Sequence, residues 1–285
     1  MAAGDTNSAR RAVWQSLLVG WQDVAASDEV EAADWMDWIH GRLHSFAQDV
    51  GSVVPTGFGA YARIFHPASG ADRPGIEVRW SEVAAWSGKT AHPEMQFHAI
   101  AAPAHDRAHG LELRIYQPRD GVLSERQAGV LVGLLSKHTA TPDACWLCLW
   151  EGYGYLNPGA TAAWLIEASP RRRPKPPGFG FGRLRFGIPK TTTRGFPERK
   201  RVTLPGRDYL LFKGSVAEAQ GWEDGPNLWW PDDQAWCVAS EIDFPYTYVG
   251  GTSELLDEIL QDPALEALPT TVAHGVSAMS DTINS

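Results

Sequence analysis

The chain has 285 residues and carries 34 acidic against 25 basic residues, a formal net charge of −9 at pH 7. Hydrophobic residues make up 44% and charged residues 21%, ordinary globular usage that excludes a wholly disordered or fibrous chain and leaves room for a substantial core. No stretch approaches the roughly 20 apolar residues of a membrane-spanning helix, and three cysteines are too few for a disulfide framework, so a cytoplasmic protein with no membrane partner is expected.

Residues 1–10 read as a disordered start. Ala12 to Val24 and Glu29 to Val50 then read as two helices, the second with Trp35, Trp38, Ile39, Leu43 and Phe46 at helical spacing. Val54-Pro55 ends it, and the alternation that follows predicts a strand over Ala60 to Phe65, with another over Ile76 to Trp80. Ser81 is positioned to cap a short helix through Trp86. Residues 88 to 122, rich in Ala, His, Gly and Pro, read as loop except for a strand pattern from Gly110 to Gln117.

The clearest helix is LSERQAGVLVGLLSKHTATP: Ser124 and Gln127 form a capping box, Lys137 and His138 suit the last turn, and Pro142 follows. Cys145 to Trp150 is an apolar run of strand length, with Ala160 to Ala168 a partner strand. Residues 170–201 break the pattern as an exposed, Gly/Pro-rich basic loop. Of these, 171–201 hold 11 basic residues and a single acid, Glu198, leaving 14 basic against 33 acidic residues elsewhere, a body that repels free nucleic acid. Arg207 to Phe212 is a strand, Ser253 to Leu260 a final helix, and 266–285 a flexible tail. The expected fold class is α+β, a mixed or antiparallel sheet flanked by helices with the basic loop inserted. It forms one domain over 11–265 with a possible lobe boundary near 142.

The stretch WWPDDQAWCVASEIDFPYTYVGG, Trp229 to Gly251, is the richest in candidate chemistry. Read as a strand from Trp236 to Phe244, it sends Trp236, Val238, Ser240, Ile242 and Phe244 to a core face and Cys237, Ala239, Glu241 and Asp243 to the other. Two strand steps put the Glu241 and Asp243 carboxylates near enough to share a cation with Asp232 or Asp233, to act as acid and base, or to receive an arginine; Arg63, Arg79 and Arg207 are the candidate partners. Pro245 marks an edge or bend. Gly250-Gly251 leading into a helix capped by Thr252 or Ser253 offers backbone amides to an anion. The catalytic candidates are thus Glu241, Asp243, Asp232 and His66, which stands at a strand end. The ligand contacts expected are Arg63, Arg207, Trp236, Gly250, Gly251 and Thr252.

Cys145 and Cys148 have C-x-x-C spacing, but a strand turns them to opposite faces, so inert buried thiols are expected. His92, His98, His105 and His109 match no metal-binding pattern, and no metal and no cofactor are expected. No Walker loop, dinucleotide fingerprint, nucleophile elbow or kinase signature occurs. The 13 Trp mostly suit packing and recognition surfaces.

AYARIFHPA (Ala60 to Ala68), HTATPDACWLCLWEG (His138 to Gly152), LPGRDYLLFKG (Leu204 to Gly214) and the Trp229 to Gly251 stretch together resemble a family of actinomycete-type bacterial proteins to which no activity is attached. The resemblance implies a bacterial cytosolic protein and carries over no catalytic residue. The leading expectation is a non-enzymatic binding or accessory module with a Trp-rich recognition surface for a protein or small-molecule partner. Its alternatives are a metal-assisted hydrolase or transferase using Glu241 and Asp243, and a nucleic-acid-associated factor acting through residues 171–201.

Overall fold

A computed structural model describes residues 25–36, 41–46, 48–70, 75–101, 115–153, 156, 199–222 and 224–284. The expected helix at 12–24, the strand at 160–168, His105, His109 and the basic segment up to Glu198 lie outside the described residues.

The fold is α+β, and among the described residues every strand pairing is antiparallel. The strands are β1 (Ala25–Ser27), β2 (Ala60–Phe65), β3 (Ala68–Gly70), β4 (Glu77–Val78), β5 (Ile115–Tyr116), β6 (Cys145–Trp150), β7 (Val202–Leu204), β8 (Arg207–Gly214), β9 (Leu228–Pro231), β10 (Cys237–Ala239), β11 (Tyr246–Gly251) and β12 (Ala267–Thr270). One large sheet runs in the order β1-β8-β6-β9-β10-β11-β2-β12, with β7 pairing the other end of β8; a small sheet runs β4-β3-β5.

Both faces of the large sheet are buried, which explains why β6 reads as a continuous apolar run rather than an alternation. Trp146, Cys148, Tyr209, Leu211, Leu228, Trp230, Cys237, Ala239, Tyr246 and Tyr248 belong to one core. Leu147, Leu149, Leu210, Phe212, Trp229, Trp236, Val238 and Val249 belong to a second core on the opposite face. The second face is covered by α3 (Glu125–Lys137) and α4 (Ser253–Gln261), which contribute Leu131, Leu135, Leu255, Leu256 and Ile259. The first is covered by α1 (Trp80–Ser87), α2 (Phe97–Ala101), Leu43, Val50, Val53 and Val54, and Val276 from the C-terminal segment.

Helix α3 matches its sequence signature, with Ser124 and Gln127 exchanging capping hydrogen bonds. Among the described residues of the expected helix over 29–50 there is a 3₁₀ segment, Val30–Met36, and a second short one begins at its end, Val50–Ser52, started by the Asp49 side chain; Trp38 and Ile39 lie outside the described residues. Of its described aromatics, Trp35 meets Phe58 and Trp230 edge-on. Over its described residues, 266–284, the segment is not a loose tail, because β12 pairs with β2 and the chain beyond it is bonded to Tyr246, His92, Gln96 and Thr90. Asp281, only 6% exposed, accepts from His92 Nε2 (2.8 Å), the Gln96 amide (3.0 Å) and the Asn284 amide (2.9 Å). Burial alone would raise its pKa, but these hydrogen bonds to the charged form win and hold it at about 2.

The segment between β6 and β7 leaves and returns at one place. Arg201 closes it with a two-pronged ion pair to Glu151, Nε to Oε2 at 2.8 Å and Nη2 to Oε1 at 3.0 Å. Lys200 pairs with Glu31 at 3.0 Å, so the described end of the basic segment docks on the acidic body.

Candidate functional site

The stretch from Trp229 to Gly251 folds as β9, a turn, β10, a second turn and β11, not as one long strand. Strand β10 stops at Ala239; the Phe244 amide then donates to the Glu241 carbonyl at 3.0 Å, closing a turn over Glu241–Phe244. Pro245 sits at the end of that turn, and β11 after it is an interior strand between β10 and β2 rather than an edge.

This turn decides the fate of the two acids. Glu241 pairs with the Nη1 of Arg207, and Tyr209 Oη lies 3.4 Å from the same carboxylate oxygen. The side chains are 14% and 4% exposed, and Nη2 of Arg207 donates to the Ser52 carbonyl. Burial raises the Glu241 pKa, Arg207 and Tyr209 pull it back, and Asp243 raises it again. Asp243 itself points to solvent. Glu241 is thus an anchor between β8 and the β10–β11 turn, its Oε1 engaged by the chain's own Arg207 and Tyr209. Asp232 accepts from the Trp146 indole at 3.0 Å, and Asp233 accepts from Thr139 Oγ1 (2.8 Å) and the Ala140 amide (2.6 Å), tying the turn before β10 to the end of α3. Among the described residues no group of three His, Cys, Asp or Glu is placed to hold a metal ion.

All the expected ligand contacts except Thr252 are buried. Arg63 is fully buried, its guanidinium 3.6 Å from the Tyr246 ring centroid and bonded through Nη1 to the Pro93 carbonyl. Trp236 is buried and donates to the Leu135 carbonyl at 3.1 Å. Gly250 and Gly251 serve close packing instead of anion binding: a Cβ on Gly250 would lie 2.6 Å from Phe58 Cδ2, and one on Gly251 would lie 2.8 Å from Leu255 Cδ2. Thr252 caps α4, its hydroxyl accepting from the Leu255 amide at 3.3 Å, which takes up one of the amides an anion would use. Cys145 and Cys148 are free buried thiols on opposite faces, and burial pushes the Cys145 thiol up to about 12.

His66 has a different outcome. It follows β2 on the face that carries Ile64, and Thr247 and Ser240 stand on that same face of β11 and β10. The three form a buried row across adjacent strands: His66 Nε2 is 2.8 Å from Thr247 Oγ1, which is 2.6 Å from Ser240 Oγ. On its other side His66 Nδ1 is 2.8 Å from the Arg119 carbonyl. Burial lowers the His66 pKa to about 4, opposed by the Arg119 carbonyl and reinforced by the charges of Arg119 and Arg63, so the ring is neutral at pH 7. A carbonyl only accepts, so Nδ1 carries the proton and Nε2 is the bare nitrogen. Thr247 therefore donates to Nε2, and Ser240 donates to Thr247.

The row ends at a cavity of about 450 Å³ between the sheet and α3. Its walls are Val122, Leu123, Val132, Trp222, Pro226 and Trp229. Exposed Arg119, Glu125 and Gln220 form a polar rim, and buried Ser240 lies at the floor. Two local features hold this shape. Gly121 has φ +75 and turns the chain between Arg119 and α3; a side chain there would be strained and its Cβ would meet Ile242 Cα at 3.1 Å. Gln127, buried at the first turn of α3, donates to the Phe65 carbonyl at 2.9 Å and fixes the helix over the His66 end of the sheet.

Of the residues nominated by the sequence, only His66 reaches this site, and it does so from behind. In sequence Ser240 reads as a core-facing strand residue, and Thr247 carries no signal of its own. The signal available was three polar side chains at strand positions that share one face, and only the β10-β11-β2 register shows that they meet. Six of the nine described Trp are buried, and the two that line the cavity, Trp222 and Trp229, are inseparable in sequence from those that only pack. No protein-family model, curated protein or solved structure matches this chain.

Proposed function

We propose that this protein is a binding module whose ligand is a small, largely apolar molecule held in the cavity between α3 and the β9–β10 end of the sheet. The make-up of the cavity carries this reading: about 450 Å³, aliphatic and indole walls, one oriented hydroxyl at the floor and charge confined to the rim. Ligand sites commonly enclose roughly 300–1,000 Å³ and combine apolar walls with a few fixed polar groups. Binding is favoured over catalysis because two of the three acids nominated for chemistry are engaged by the fold, Glu241 by Arg207 and Asp232 by Trp146, while the third, Asp243, lies exposed in a turn outside the cavity. Three free, buried thiols support a reducing, cytoplasmic setting.

The test uses indole and fluorobenzene as probes, titrated by NMR into wild type and into Ala128→Trp. Ala128 lines the cavity from α3, so an indole side chain there fills the space the probes need. Saturable binding to wild type that is lost in the folded variant is expected. Equal binding to both proteins places the probes elsewhere and removes the cavity reading.

A further inference from the structure

The cavity floor has a fixed polarity. Thr247 Oγ1 has one proton and two close neighbours, His66 Nε2 at 2.8 Å and Ser240 Oγ at 2.6 Å. The tautomer of His66 is set from outside the row, by the Arg119 carbonyl at Nδ1. The backbone holds the imidazole in place as well: the His66 amide donates to the Pro245 carbonyl (3.0 Å) and its carbonyl accepts from the Trp80 indole (2.8 Å). With Nε2 bare, the only arrangement that satisfies all three groups runs one way, Ser240 to Thr247 to His66. Ser240 has then spent its proton inward, and what its hydroxyl oxygen presents to the cavity is lone pairs.

We propose that the cavity selects a ligand carrying an O–H or N–H group, which donates to Ser240 Oγ while the rest of the molecule lies against Trp222 and Trp229. This rests on the cavity being the ligand site. An acceptor-only group, such as a ketone or ether oxygen, meets lone pairs at the floor and is disfavoured. The row Ser240-Thr247-His66 is therefore a specificity element: Ser240 touches the ligand, and Thr247 and His66 are positioning residues that set the sign of its hydrogen bond. An unoriented serine would accept from one ligand and donate to another, because a free hydroxyl rotates to suit. Ser240 is denied that choice.

Phenol, fluorobenzene and acetophenone serve as probes, matched in ring and differing in donor, neither, or acceptor. Dissociation constants are measured by NMR titration at pH 7 on wild type, Ser240→Ala and Thr247→Val. In wild type phenol binds about five- to tenfold more tightly than fluorobenzene or acetophenone, the usual net effect of one hydrogen bond. Ser240→Ala removes that preference. Thr247→Val frees the Ser240 proton, so acetophenone gains relative to wild type, a change that a merely structural Thr247 would not produce. If fluorobenzene or acetophenone binds wild type as tightly as phenol, the donor rule is overturned while the cavity remains a binding site. If no probe binds, or all bind Ala128→Trp unchanged, the cavity reading fails and the donor rule with it. Should Thr247→Val not fold, the wild-type ranking alone still decides.

Discussion

Ser240 Oγ, just past the end of β10, and Thr247 Oγ1 on the adjacent β11 lie 2.6 Å apart, and Thr247 in turn meets His66 Nε2 at 2.8 Å. The three belong to segments 181 residues apart at the extremes, so the row exists only when β2 and β11 pair in the correct register, Thr247 opposite Ile64. A slip of one residue in that pairing would put His66 on the opposite face from Thr247 and Ser240.

His66 makes stability depend on acidity. Its folded pKa of about 4 lies below the ordinary value of 6.5, so the unfolded chain binds the extra proton first as pH falls. Stability is full above pH 6.5 and declines between 6.5 and 4, by about 3 kcal/mol in total. Urea melts from pH 7 to 4 should show this slope in wild type, and His66→Gln should flatten it. An unchanged slope in the variant would locate the proton uptake elsewhere.

Asp281 acts in a lower window. Its pKa of about 2 lies below the usual 3.8, so the clamp on the C-terminal segment is present above pH 4 and is lost as pH falls through 2, with about 2 kcal/mol at stake. At pH 7 Asp281→Ala should expose residues 276–284 to carboxypeptidase while β6 and β8 keep their amide protection. Resistance equal to wild type would show that the His92 and Gln96 bonds do not hold the segment.

Glu241 and Arg207 form a buried pair, and removing one partner strands the other. Glu241→Ala should cost roughly 3–5 kcal/mol in chemical denaturation, and so should Arg207→Ala. The double variant Glu241→Gln with Arg207→Met should cost clearly less than the two single variants added together, because no uncompensated charge remains. Additive costs would mean that the two side chains act separately.

Gly250 separates packing from anion binding. A methyl there meets Phe58 at 2.6 Å and Tyr61 and Val54 at 3.0 Å, so Gly250→Ala should destabilise by roughly 1–3 kcal/mol through overpacking. Inorganic phosphate should shift the Tm of wild type and variant equally. A phosphate-dependent shift confined to wild type would restore an anion site at this turn.

The sequence by itself determined the elements whose signals are local. Helix α3 follows from Ser124, Gln127 and the apolar spacing between them, because a capping box is satisfied within one turn of chain. Strands β2, β6 and β8 follow from β-branched, aromatic and apolar runs of strand length. The α+β class and the arginine partner of Glu241, one of three named from composition and placement, were likewise within reach.

Tertiary structure decided whatever depends on pairing between distant segments. The aromatic spacing from Trp35 to Phe46 imitates a helix, but the described part is a 3₁₀ segment, Val30–Met36, whose Trp35 packs edge-on against Phe58 and Trp230. The C-terminal segment is polar and short in periodicity, yet β2 and Asp281's partners order it. Glu241 and Asp243 share a strand face on paper and part company because a turn begins at Glu241. The cavity and its polar floor are the clearest case: Ser240, Thr247 and His66 are three ordinary residues until three strands set them side by side. One carbonyl, that of Arg119, then fixes which way their protons point.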